Sequence, residues 1–271
     1  MAPSRLAFLV LPVVTACVGD IQRSARVPHA SVPLSSGQAL DAPVELSAGL
    51  ANVSDPIKPT VGDPNQAVEV PSTEMRSELR LRATDRATVA LIYERGFGAT
   101  SVRPDPTQAP VGPGDVEGYG MSFSNSFTTS TPGFVIGATL ELMMWSVPYV
   151  EYDTGTSILG PFEIVGHGRA NPVSLGVGIT PSYRSGRFTV FGGVFARNHP
   201  TTQRKEYQTD ITFSDNGDVQ NGPVNALLHV GVELELDKWL TALLVIHQDL
   251  VADSVQYGPG IGLALTARLG G

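Results

Sequence analysis

The stretch Val173-Ser174-Leu175-Gly176-Val177-Gly178-Ile179-Thr180-Pro181-Ser182-Tyr183 carries an apolar or aromatic residue at every odd position and a small or polar one at every even position. Successive side chains point to opposite faces only in an extended strand, so this segment has one apolar face and one that is not. Two later stretches repeat the pattern. Over 226–236 the even positions are Ala226, Leu228, Val230, Val232, Leu234 and Leu236, with His229, Gly231, Glu233 and Glu235 between them. Over 257–269, Tyr257, Ile261, Leu263, Leu265, Ala267 and Leu269 alternate with Gly258, Gly260, Gly262, Ala264, Thr266 and Arg268. Further runs at about 87–96, 118–129, 133–145, 187–198 and 240–249 bring the count to eight. Most of them are about twice as long as the five to six residues of an ordinary strand, and they match the roughly 9 to 11 that a strand needs to cross a bilayer.

The connections alternate in length. Those at 130–132, 184–186 and 237–239 are short, those at 97–117, 146–171 and 199–223 are long, and 250–256 is intermediate. In an up-and-down meander every second connection lies at the same end, so the short turns collect on one rim and the long loops on the other. The segment Ser77 to Thr84 also alternates and could pair with 87–96 through Asp85-Arg86, which raises the count to ten if one more strand comes from upstream. Pro43-Val44-Glu45-Leu46 and Ala67-Val68-Glu69-Val70 are the short alternations available there.

Only 16% of the 271 residues are charged, well below the roughly 25% of a soluble domain. A net charge of -8 offers no electrostatic footprint for a phosphate backbone, which argues against a nucleic-acid partner. The single cysteine, Cys17, excludes an intrachain disulfide framework and a cysteine-rich metal site. Gly258, Gly260 and Gly262 precede no helical pattern, and no metal-ligand spacing or phosphate loop is present, so neither a cofactor nor a metal is expected.

The N-terminus has Arg5, an apolar run from Leu6 to Val14 and small residues before Cys17. That run is too short for a membrane-spanning helix and suits a cleavable export signal. Residues 18–75 hold seven prolines and no Phe, Tyr or Trp, a composition that buries too little apolar surface to offset chain entropy. The sequence therefore divides into a signal peptide at 1–16, a flexible tether at 17–75 and a β-domain at 76–271.

Val14-Thr15-Ala16-Cys17 resembles the lipobox of bacterial lipoproteins. The resemblance implies that Cys17 is diacylated and becomes the mature N-terminus. The alternating runs, the unequal rims and the aromatics near both ends (Phe127, Phe134, Tyr183, Phe188 and Trp239 beside the short turns; Tyr93, Tyr119, Trp145 and Tyr257 toward the long loops) resemble small bacterial outer-membrane β-barrels. The resemblance implies an all-β, antiparallel up-and-down transmembrane barrel of about eight strands, ten being possible, tethered at the short-turn rim. Two features depart from that family: the chain ends Leu269-Gly270-Gly271 without a terminal aromatic, and Pro181 removes a ladder donor, so a bulge or local fray is expected there.

Small and charged residues at the inward positions, including Ser122, Ser124, Ser126, Glu94, Glu141, Arg187, Arg197, Glu233, Glu235 and Arg268, suggest interior ion pairs filling a narrow lumen. The expected function is noncatalytic, with outer-membrane lipid as the surrounding partner and with small ligands or surface partners met at loops 97–117, 146–171 and 199–223. One alternative is a soluble periplasmic β-sandwich or lipocalin-like lipoprotein with the apolar faces packed inward. Another is a barrel hydrolase in which His247 and Asp249, two apart on one face, act with His229 on the preceding strand. A three-residue turn at 237–239 puts His229 opposite His247, whereas a two-residue turn puts them on opposite faces.

Overall fold

The computed structural model describes residues 21–26, 35–52, 56–59, 68–98, 100–102, 114–153, 163–200, 221–251, 255–257 and 259–270. The strands among them, in chain order, are β1 (Ile21–Arg26), β2 (Val44–Asn52), β3 (Pro56–Pro59), β4 (Val68–Val70), β5 (Thr73–Arg82), β6 (Ala87–Phe97), β7 (Thr100–Val102) and β8 (Val116–Thr128). They continue with β9 (Phe134–Asp153), β10 (Glu163–Ala170), β11 (Val173–Ser185), β12 (Phe188–Pro200), β13 (Asn221–Asp237), β14 (Leu240–Val251), β15 (Val255–Tyr257) and β16 (Gly260–Leu269). The described residues contain no helix.

Ten strands form a closed antiparallel barrel. The ladder runs β2, β5, β6, β8, β9, β11, β12, β13, β14, β16 in strict sequence order, and β16 pairs back onto β2, Leu265 facing Ala48. Closure leaves no free sheet edge. The turns at 83–86, 129–133, 186–187 and 238–239 gather on one rim, and the long connections gather on the other. Gly133 (φ 79°) and Gly186 (φ 61°) supply the left-handed backbone that two of these turns require. Above the long-loop rim, β1 and β10 pair with the extended upper part of β9, β4 pairs with β1 and β7, and β15 pairs with β3.

The count is ten, the larger of the two expected. The Ser77-to-Thr84 alternation is the second barrel strand, β5, paired with β6 from Thr73 to Arg82. The remaining strand, β2, lies inside the segment expected to be a tether, so the barrel begins at Val44 and not near residue 76. No aromatic marks β2. Its membership rests on period two alone, with Glu45, Ser47 and Gly49 buried between outward Leu46 and Leu50.

The apolar faces point away from the lumen. Leu263 (62% exposed), Met144 (60%) and Ile179 (59%) are typical of a continuous outward belt from every barrel strand. The expectation of a sandwich or lipocalin-like body fails here, because both architectures pack their apolar faces inward.

Of three local expectations, one is met and two are revised. The local fray expected at Pro181 is present, without a bulge: β11 stays in register with β9, Pro181 facing Ile136, while the ladder to β12 is interrupted between Ile179–Val194 and Ser182–Phe191. The β13–β14 turn has two residues, yet His229 still faces His247, because a register shift between Glu235 and Asp237 restores the face that a two-residue turn alone would invert. Trp145 does not belong to an outer aromatic girdle. It occupies an odd position of β9 and is buried in the lumen, its indole Nε1 donating to Ser174 Oγ at 2.8 Å.

Candidate functional site in the barrel lumen

Inward positions alternate with lipophilic ones along each strand, so side chains from ten strands converge on one narrow space. β5 contributes Glu74, Arg76, Glu78 and Arg80 in succession, all of them buried. Arg76 Nε donates to Glu78 at 2.6 Å, its Nη2 to Glu141 of β9 at 2.8 Å, and its Nη1 to Glu94 of β6. From the far wall, Arg197 of β12 reaches the same two acids, at 2.7 Å to Glu141 and 3.4 Å to Glu94. Its guanidinium also lies over the Trp145 ring, 5.2 Å from the centroid.

The lattice continues toward the short-turn rim. Arg80 meets Glu45 at 3.0 Å and donates to Ser47 Oγ at 2.7 Å. Arg268 approaches Glu45 and Glu235, each at 3.5 Å, and Asp41 at 3.3 Å. Arg184 closes the row on Asp41 at 2.7 Å and Glu235 at 3.2 Å. Every arginine in this row touches at least two acids. That arrangement offsets the desolvation penalty that an isolated buried charge would carry.

Asp41 belongs to a segment, residues 35–43, that lies inside the barrel at its short-turn end. The Ser36 amide and hydroxyl donate to the two carboxylate oxygens of Glu233, at 2.9 and 2.8 Å. Gln38 donates to Ser182 at 2.8 Å, and the Ser126 hydroxyl donates to the Gly37 carbonyl at 2.8 Å. Leu40 and Ala42 are buried. Gly37 has φ +77° and lies against Gly137, where a Cβ would stand 2.6 Å from the Gly37 Cα. Residues 35–40 line two small recesses, one toward Arg184 and Arg268 and one toward Arg76 and Glu141. The segment is thus a plug, held by side-chain and backbone bonds to the wall, in a stretch expected to be a free tether.

Sequence reasoning missed the plug because its residues are individually weak signals: Ser36, Gly37 and Gln38 look like linker. The Gly37–Gly137 contact has no mark in either local sequence. Arg76, Glu78, Arg80 and Glu45 were missed because the strands that carry them showed only as optional short alternations, whereas Glu94, Glu141, Arg197, Glu235 and Arg268 stand in the lattice as expected. Arg187 is exposed in the β11–β12 turn and is not a lumen-strand residue.

His229, His247 and Asp249 do face the lumen together, His229 opposite His247 in the ladder. Their exposures are 1%, 3% and 3%. His229 Nε2 lies 3.4 Å from Thr180 Oγ1, and its ring packs 6.1 Å from that of Phe191. Gly260 makes room for the His247 ring, whose Nε2 would stand 2.3 Å from a Cβ there. Among the described residues no three His, Cys, Asp or Glu are grouped to hold a metal ion. Cys17 lies outside the described residues, as do 99 and 103–113 of loop 97–117, 154–162 of loop 146–171, whose remainder is mostly β9 and β10, and 201–220 of loop 199–223.

No family model matches the chain, and no curated protein matches it in sequence. Solved structures resemble it distantly. An outer-membrane channel from Pseudomonas putida F1 aligns with TM-score 0.47 and 13% identity over 88% of this chain and 99% of that one. The β-domain of the Bordetella autotransporter BrkA gives 0.46 and 12% over 84% and 100%, and the translocator domain of NalP from Neisseria meningitidis gives 0.45 and 9% over 85% and 90%. The barrel assignment rests on this chain's own closed ladder.

Proposed function

We propose that this chain is an outer-membrane β-barrel lipoprotein, noncatalytic, that holds its long loops at the cell surface for contact with surface partners or small solutes. The observation that carries the reading is the distribution of apolarity: large aliphatic and aromatic side chains cover the outside, while the inside holds buried arginines and glutamates beside a smaller apolar cluster of Phe191, Leu227, Leu243, Val245 and Ala264. Apart from the interruption beside Pro181, the closed ladder pairs the strands' backbone groups internally, as hydrocarbon requires. Phe127, Tyr183, Phe188 and Trp239, each about half exposed, ring the short-turn end, in keeping with an interfacial aromatic girdle.

The filled lumen supports the noncatalytic part of the reading. The ion-pair lattice and the plug occupy the passage that a porin would keep open, and the His229–His247–Asp249 group, although near the long-loop end of β14, is almost wholly buried. The hydrolase alternative needs that group at an open rim.

The lipoprotein part rests on Val14 to Cys17. Two acyl chains on Cys17 would add a stable second anchor. Growing cells with a palmitate analogue tests it: wild-type protein should take up the label and Cys17→Ser should not, while both remain in the membrane pellet. Equal labelling of the two, or release of Cys17→Ser into the soluble fraction, would contradict the reading.

A further inference from the structure

Among the residues with described side chains, the cations fall into two sets. Arg76, Arg80, Arg184, Arg197 and Arg268 are paired with acids in the lumen and at its short-turn mouth. Toward the long loops, Arg95 is paired with Asp115 at 2.6 Å and Arg169 donates to Ser146 Oγ at 2.6 Å. The remaining cations, Arg82, Arg86, Arg187 and Lys238, are exposed, and among the described residues no acid or hydrogen-bond acceptor takes their side chains. All of them stand on the short-turn rim: Arg82 ends β5, Arg86 follows in the β5–β6 turn, and Arg187 and Lys238 occupy the β11–β12 and β13–β14 turns.

Three of these cations have an exposed aromatic as neighbour. Phe188 directly follows Arg187, and Trp239 directly follows Lys238. The Ser126 amide donates to the Arg86 carbonyl at 2.8 Å, which sets Arg86 beside Phe127. Aromatics at a barrel rim mark the headgroup level of a bilayer, and a turn cation one residue farther out is level with the phosphates, its long stem carrying the charge to them. The exposed acids on the same three turns are Asp85 and Asp237. Asp41 and Glu235, also at this end, are already held by Arg184 and Arg268. The uncommitted charge of the rim is therefore positive, although Arg187 also borders the recess beside the plug.

We propose that the short-turn rim binds the headgroups of anionic glycerophospholipids, with Arg82, Arg86, Arg187 and Lys238 on the phosphates and Phe127, Phe188 and Trp239 against the lipid beside them. This rests on the membrane reading above and deepens it, by naming the lipid class that the barrel selects and the end at which it does so. One Lys or Arg beside an anionic surface strengthens association about fivefold. The long-loop end offers no matching set among the described residues, because Arg95 and Arg169 are already engaged within the protein.

Trp239 is a built-in reporter at this rim, since the only other tryptophan, Trp145, is buried in the lumen. The full chain is folded into vesicles of equimolar phosphatidylcholine and phosphatidylglycerol, with bromine on the acyl chains of one lipid at a time, and tryptophan quenching is measured. At low ionic strength brominated phosphatidylglycerol should quench more strongly, by a local enrichment of about fivefold. The preference should fade near 1 M salt, where the screening length is about 3 Å. Arg187→Gln combined with Lys238→Gln should bring the two lipids to equal quenching, whereas Arg187→Lys with Lys238→Arg should keep the preference. Equal quenching in the wild type, or a preference that survives the double glutamine change, would overturn the headgroup inference and leave the membrane reading standing. No quenching by either lipid would overturn the membrane reading and the inference with it.

Discussion

Arg76 of β5 donates to Glu141 of β9 at 2.8 Å across two intervening strands, and Arg197 of β12 donates to the other oxygen of the same carboxylate at 2.7 Å. One buried carboxylate thus bridges two arginines from different walls, and the lumen is spanned at that level by charge and not by packed aliphatics. Removing one member leaves its partners buried with less compensation: without Arg76, Glu94 and Glu141 are left sharing Arg197. Arg76→Met should destabilise the barrel by about 3–5 kcal/mol, read as a lower urea midpoint for the folded band on unboiled gels. The exposed pair Arg95–Asp115, 2.6 Å apart outside the lumen, serves as the control, since Arg95→Ala should leave that midpoint nearly unchanged.

Glu141→Gln tests the coupling. If Arg76 and Arg197 act through this one carboxylate, combining Arg76→Met with Glu141→Gln should be markedly less damaging than the sum of the two single changes. Simple additivity would mean that the two arginines are stabilised independently.

Gly137 fixes the plug through backbone contact. A Cβ at this position would lie within 3.2 Å of the Gly37 Cα, carbonyl oxygen and carbonyl carbon, none of which can swing aside as a side-chain tip could. Gly137→Val should therefore expel residues 35–43 while the ten-strand ladder persists. Limited proteolysis from the short-turn side should cut near Gln38 in the variant and spare the wild type, with the heat-modifiable mobility of the barrel unchanged in both. Protection of Gln38 in the variant would contradict the contact.

The outward belt makes a prediction that separates a lipid from an aqueous surrounding. Leu263 sits mid-strand on β16 between Leu244 and Leu50, all three outward. Leu263→Arg should cost about 2–4 kcal/mol in a bilayer, measured as a loss of stability in lipid vesicles. An arginine at such a site on a water-facing surface would be nearly neutral.

How far the sequence carried the reading follows from where the signal lies. The outward faces of β11, β13 and β16 were legible because each is an unbroken period-two run with aliphatic residues on one side. The pairing of His229 with His247 was legible for a reason that did not hold in detail, since a two-residue turn and a compensating register shift produce the face that a three-residue turn would have given. β2 showed only as the short Pro43-to-Leu46 alternation because Ser47, Ala48 and Gly49 carry little apolar contrast, and its full extent is defined by closing the ladder between β16 and β5. Trp145 misled because an aromatic near a strand end fits a girdle equally well. Its parity in β9, shared with Glu141 and Met143, is what turns it inward. The plug is a product of tertiary contact: Gly37 and Gly137 meet only after the barrel has closed, and no local pattern could announce it.

The central claim is that the apolar outer face of this barrel lies in a membrane. The most direct measurement is alkaline carbonate extraction of the cell envelope followed by gel mobility with and without boiling. The account predicts that the protein remains in the pellet and migrates faster unboiled than boiled, for Cys17→Ser as for the wild type. Release into the carbonate supernatant, with one mobility in both conditions, would contradict it.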